Sequence, residues 1–159
     1  MIRRPVAVGA LTGVVCALLV LGPALAPGYL LHYDMVFVPR LHLDAQTLGI
    51  DGSFPRAVPN DIVVAVLSVL VPGWIVQKAL LVAVFVGVGA GMGRVVDQLG
   101  LGRVAVVAGA VVACWNPWVA ERLAIGHWGF LLGYAVLPWI VATAWSVRHG
   151  GRTTPLLTA

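Results

Sequence analysis

Charge is scarce in this chain. Asp, Glu, Lys and Arg together make up 10% of its 159 residues, where soluble domains carry about 25%. Apolar residues fill the difference, at 60% of the chain. A chain so poor in charge has too little polar surface to face water all round. That excludes a soluble enzyme or binding module and predicts an all-α integral membrane protein. Cysteine is scarce as well. Cys16 and Cys114 lie far apart in apolar runs with no CxxC, so no disulfide framework is expected, and both fit as small buried apolar side chains. Basic residues outnumber acidic ones by ten to six, but they are scattered singly and make no patch. Nucleic acid is therefore excluded as a partner, and membrane orientation is the better explanation of the excess.

Long apolar runs are what the chain does have. Residues 5–26 form the first, behind the basic start Arg3-Arg4. Ala24-Leu25-Ala26 has the small-x-small form of a signal-peptide cleavage site. The run is nevertheless longer than the usual apolar core of such a leader, and Pro27 would follow the cut, so a retained span is expected. Residues 27–60 are broken by Pro27-Gly28, Pro39, Gly49, Gly52, Pro55 and Pro59, which forbids one continuous helix and predicts an external loop on the membrane surface. Residues 61–71 are apolar but too short to cross; Asn60 or Asp61 can cap them as an interfacial or re-entrant helix. Further spans are expected over 74–96, 103–119 and 129–147. In the second, Gly87, Gly89, Gly91 and Gly93 give overlapping GxxxG pairs, which let helix backbones approach closely. They do not form a nucleotide-binding GxGxxG: the last position falls on Met92 or Arg94, and no strand precedes it. Asn116-Pro117 should interrupt the third span, and Pro138 should kink the fourth.

Four spans put Arg3, Arg4, Arg94, Arg103, Arg148 and Arg152 on one side, and Arg40, Arg56 and Arg122 on the other. The positive-inside rule then predicts a multi-pass protein of the plasma (inner) membrane with its N-terminus in the cytoplasm. The residue 27–60 loop and the Asn116–His127 corner would share the outer face. A five-span arrangement, with residues 62–76 also crossing, would move that corner inside.

Asp34 is the candidate catalytic residue. It follows the first span by a few residues, among apolar and aromatic neighbours, where a carboxylate in a partly dry site can take a proton from a hydroxyl. Lys78, Arg40 and Arg56 are candidates for holding a lipid phosphate, Lys78 as a point charge and the arginines by bidentate contact. For Lys78, snorkelling to the interface is an equal alternative. His127 is a candidate substrate contact, as donor or base. Glu121 and Arg122 read better as a local ion pair. His32-x-Asp34 and His42-x-Asp44 echo each other. Their spacing matches no standard metal site, and solvated pairs are the plainer reading. No cofactor is read from the sequence, and His32 and Asp44 stand only as candidates toward a divalent metal.

The placement of an acid early in the first external loop, after a first helix with a cytoplasmic start, resembles the GT-C superfamily of membrane glycosyltransferases. More narrowly, Val71-Pro72-Gly73-Trp74-Ile75-Val76-Gln77-Lys78 looks like a stretch in actinobacterial arabinofuranosyltransferases of the D type. Trp115-Asn116-Pro117 and Leu137-Pro138-Trp139 are similar to proline-marked helix ends in the same enzymes. The resemblance implies a sugar donor on polyprenyl phosphate, a cell-envelope glycan as acceptor, and Asp34 as the general base. GT-C enzymes have many more spans than four. The resemblance thus covers only their N-terminal portion, and residues 1–159 are expected to be one membrane domain of a larger architecture. Two other classes fit the residues. One is a non-enzymatic subunit that packs on another membrane subunit through its glycine-rich helix. The other is part of a transporter, which the shortage of charge within the spans argues against.

Overall fold

The computed structural model describes residues 4–52 and 57–150. Among them the chain is all helical, with four helices long and apolar enough to cross a membrane. The chain is a multi-pass membrane protein. The first span is α1, Arg4–Leu21, prolonged by a 3-10 turn, Gly22–Leu25. The short helix α2, Asn60–Leu70, stops where Val71 turns extended ahead of Pro72, so residues 62–76 do not make a fifth crossing. Neither Asn60 nor Asp61 caps it: the capping position falls on Pro59, with no side-chain hydrogen bond. The second span is α3, Gly73–Gln98. The third consists of α4, Arg103–Cys114, and α5, Pro117–Ile125. The fourth is α6, Trp128–Arg148, with Pro138 inside it.

The third span does not end at residue 119 as its composition suggests; it runs on to Ile125. The break at Asn116-Pro117 is real but repaired on the spot. Asn116 Oδ1 accepts from the Val119 N–H at 3.0 Å, a helix N-cap, and Pro117 fills the first helical position, where no N–H is needed. The Asn116 amide donates back to the Ala113 carbonyl at 3.0 Å, and the Tyr134 hydroxyl donates to the same carbonyl at 2.9 Å. The groups freed by the break are thus satisfied within the bundle, as a hydrocarbon environment requires.

The centre of the bundle is α3, wedged between α1 on one side and α6 on the other. Lipid tails are as apolar as leucine, so helices associate here through close packing rather than through water exclusion. The glycines provide that closeness on two faces. On one, Gly89 and Gly93 meet Gly9 and the Pro5 carbonyl of α1, while Gly13 of α1 lies on the Phe85 carbonyl. A Cβ at Gly9, Gly13, Gly89 or Gly93 would run into the backbone of the opposite helix. On the other face, Gly87 and Gly91 lie against Ala135, Pro138 and Trp139 of α6, and Trp139 Nε1 donates to the Gly87 carbonyl at 3.0 Å. Gly87, Gly89, Gly91 and Gly93 are therefore all taken up by the chain's own helices. Beneath them, Phe85, Leu81, Val84, Cys16, Cys114 and Leu131 form the core, and the loop residue Met35 reaches into the same core with 1% of its surface exposed.

Candidate functional site

With four spans, the loop after α1, the start of α3 and the α5–α6 corner come together at one end of the bundle. The loop is held there by defined contacts. Gln77, on α3 and 2% exposed, pairs with the backbone of Leu30 in both directions: its amide donates to the Leu30 carbonyl at 2.7 Å, and its Oε1 accepts from the Leu30 N–H at 2.9 Å. Two residues on, His32 to Met35 make a tight turn, with the Met35 N–H donating to the His32 carbonyl at 2.8 Å. The turn docks on the α5–α6 corner, where the Asp34 N–H donates to the Ile125 carbonyl at 2.9 Å.

Gly126 makes that docking possible. It ends α5 in the left-handed conformation, φ 89°, and its N–H reaches back to the carbonyls of Arg122 and Leu123. A side chain would be strained at this φ, and its Cβ would also collide with the Met35 amide. The reversal at Gly126 brings the next residue, His127, to Asp34. His127 Nε2 and Asp34 Oδ2 are 2.9 Å apart, across 93 residues of sequence. His127 Nδ1 lies 2.9 Å from Arg122 Nη1, and Arg122 Nη2 lies 3.1 Å from Glu121 Oε2. The Arg122 guanidinium also sits 5.9 Å from the Trp118 ring.

Asp34 and His127 stand at one end of a cavity of about 960 Å³. Its walls are Trp118, Trp128, Phe130 and Tyr134, with Asn60 beside the polar end and Leu137 at the far end. From His127 to Leu137 along α6 is about 15 Å at 1.5 Å per residue, half of a hydrocarbon core of roughly 30 Å. One strip of the wall is bare helix, at Gly129 and Gly133. A Cβ at Gly133 would meet nothing within 4 Å, unlike the packed glycines of α3. Phe130 and Leu137, both exposed, leave the trough open at the side of the bundle. A smaller cavity of about 170 Å³ adjoins it, sharing Asp34, Ala57 and Trp128 and adding Asp61. An amphiphile with a polar end and a long apolar tail has the matching shape. Asp34 Oδ2 is engaged by His127, yet the side chain is 67% exposed, so a second oxygen is open to a hydroxyl.

The other expected site residues fall elsewhere. Arg40 is exposed and lines none of the cavities described. Lys78, the only lysine in the chain, is 8% exposed, with its ammonium 5.5 Å above the Trp74 ring; it too is absent from the cavity wall. Arg56 lies outside the described residues. His32 packs edge-on against Tyr33 at 4.6 Å, in a separate small groove between α1 and α5. Asp44 is spent locally: its Oδ1 accepts from the Thr47 N–H at 2.8 Å and lies 2.9 Å from the Thr47 hydroxyl. Those bonds, the backbone one foremost, hold the Asp44 carboxyl below its ordinary range. Among the described residues no three His, Cys, Asp or Glu side chains gather as metal ligands would. The Glu121–Arg122 pair forms as the sequence suggests. Its further link to His127 was not legible, nor was the aromatic trough. The signal for the trough is Gly129 and Gly133, one turn apart on α6, with Trp118 and Tyr134 beside them. No family model, curated protein or solved structure matches the chain.

Proposed function

We propose that this chain works as a GT-C-type glycosyltransferase, or as the N-terminal part of one. It would move a sugar from a polyprenyl phosphate to a cell-envelope glycan at the outer membrane face. The observation that carries the reading is Asp34, fixed at the mouth of an apolar trough about half as long as a hydrocarbon core is thick. In this reading the isoprenoid tail lies along α6 between Trp118, Phe130 and Tyr134. The sugar and the acceptor hydroxyl meet at Asp34. The free carboxylate oxygen takes the hydroxyl proton, the acceptor oxygen bonds to the anomeric carbon, and the carbon–oxygen bond to phosphate breaks. Polyprenyl phosphate leaves with the electron pair. The outer-face placement takes the N-terminus as cytoplasmic, which would put Arg4, Arg94, Arg103 and Arg148 inside and leave Arg40 and Arg122 outside, the asymmetry the positive-inside rule favours.

The trough can be tested apart from the carboxylate. Gly133→Leu should fill it without touching the chain's own packing, and replacing a mid-helix glycine favours the helix by up to about 1 kcal/mol. The expected result is a loss of sugar transfer of about tenfold or more, through a higher KM for the polyprenyl donor. Protein level and melting temperature should not fall. The assay follows label from a polyprenyl-phosphate-linked sugar into a glycan acceptor in membranes that hold the natural protein. Unchanged transfer by the Leu variant would remove the trough from the reaction.

A further inference from the structure

His127 has two ring nitrogens, and both are committed. A guanidinium has donors only, so Nδ1, 2.9 Å from Arg122 Nη1, must accept. The neutral ring then carries its proton on Nε2, which faces Asp34 Oδ2 at 2.9 Å and donates to it. From this chain of donors we infer that Arg122 and His127 are positioning residues: Arg122 locks His127 as the Nε2–H tautomer, and His127 pins Asp34 Oδ2 so that Oδ1 faces the cavity.

The surroundings hold each link in place. Arg122 is braced by Glu121 and by the face of Trp118, and its Nε–H is buried without a partner among the described residues. A buried donor left unpaired is unfavourable, and here it accompanies an orientation that aims Nη1 at the imidazole. The His127 ring lies 5.3 Å from the Phe130 ring, which limits its rotation. Asp34 is fixed from the backbone side by Ile125 and by the buried Met35. With no lone pair free, His127 neither accepts the hydroxyl proton nor binds substrate through its nitrogens. The tautomer stands on geometry alone; the positioning role rests on the sugar-transfer reading.

Nitrogen-15 NMR of histidine-labelled protein in lipid nanodiscs tests the tautomer, with the His127 signals assigned by their loss in His127→Gln. At neutral pH the ring should show a protonated Nε2 and an unprotonated Nδ1. Arg122→Met should release the ring into a mixture of tautomers. For the role, His127→Gln, whose amide nitrogen can stand where Nε2 does, should keep sugar transfer within about threefold. His127→Ala should lower kcat by about tenfold or more with KM unchanged. A wild-type ring protonated at Nδ1, or a Gln variant as slow as the Ala variant, overturns the inference. The expected ring together with no sugar transfer by the wild-type protein would uphold the lock and remove the transferase reading instead; transfer that survives Asp34→Asn would remove Asp34 as the base.

Discussion

Asp34→Asn is expected to abolish sugar transfer, with kcat falling about a hundredfold to ten-thousandfold, the usual worth of a positioned general base. The substitution is nearly isosteric. The side-chain oxygen of Asn can still accept from His127 Nε2, and the backbone N–H still reaches the Ile125 carbonyl. Met35 stays in the core and Gln77 still grips Leu30. What is lost is the negative charge and the ability to take a proton. Protein level, detergent melting temperature and donor KM should therefore stay as they are while turnover disappears. Label transfer from a polyprenyl-phosphate-linked sugar, measured beside a melting curve on the same preparation, checks both halves. Full turnover by the Asn variant would mean that Asp34 is not the base. A variant that melts early would mean that the carboxylate serves the fold.

Gly13→Leu should have the largest effect on stability. Gly13 lies on the Phe85 carbonyl of α3, in the middle of the close α1–α3 contact, and the clash is with backbone, which cannot turn aside. Pushing the helices apart also unseats Gly9 from Gly89 and Gly93 from Pro5. A cost of about 3 kcal/mol is expected, at the upper end for overpacking, because the whole interface depends on contact between backbones. Size-exclusion chromatography in detergent should show loss of the monodisperse peak, with a fall in melting temperature in any protein that survives. Gly133→Leu, the same chemical change on a face with open space, serves as the control and should do neither. The contrast also bears on the subunit reading. A change at Gly91 would injure packing against Pro138 and Trp139 within the chain before it could disturb a partner.

The spans were legible because the bilayer imposes a length and a composition, and both are written into runs such as Gly73–Gln98 and Trp128–Arg148. Asp34 was legible as an acid stranded just past the first run. Spatial partners were not. GxxxG spacing shows that a face of α3 is flat, but not which helix lies on it, so the mating of Gly9 and Gly13 with Gly89 and Gly93 could be known only from the fold. Arg40 lies six positions beyond Asp34, yet it lines neither of the cavities that Asp34 borders. Lys78 reads from the sequence as a phosphate contact or a snorkelling side chain; the fold adds Trp74, one turn earlier on α3, whose ring lies 5.5 Å from its ammonium. The Arg122–His127 bond spans five residues across a helix end. It exists because Gly126 reverses the chain, and only the folded corner shows that the reversal aims His127 at Asp34.

The central claim is that the tail of a lipid-linked sugar lies along α6 while its head meets Asp34. Photolabelling measures this directly. A polyprenyl-phosphate-linked sugar with a diazirine in its isoprenoid chain would be irradiated in membranes holding the natural protein, and the labelled peptides mapped after trypsin. Label should concentrate on residues 123–148, fall when unlabelled donor competes, and disappear from that peptide in Gly133→Leu. Label spread evenly over the lipid-facing side chains of α1 and α6, indifferent to competitor, would contradict the claim.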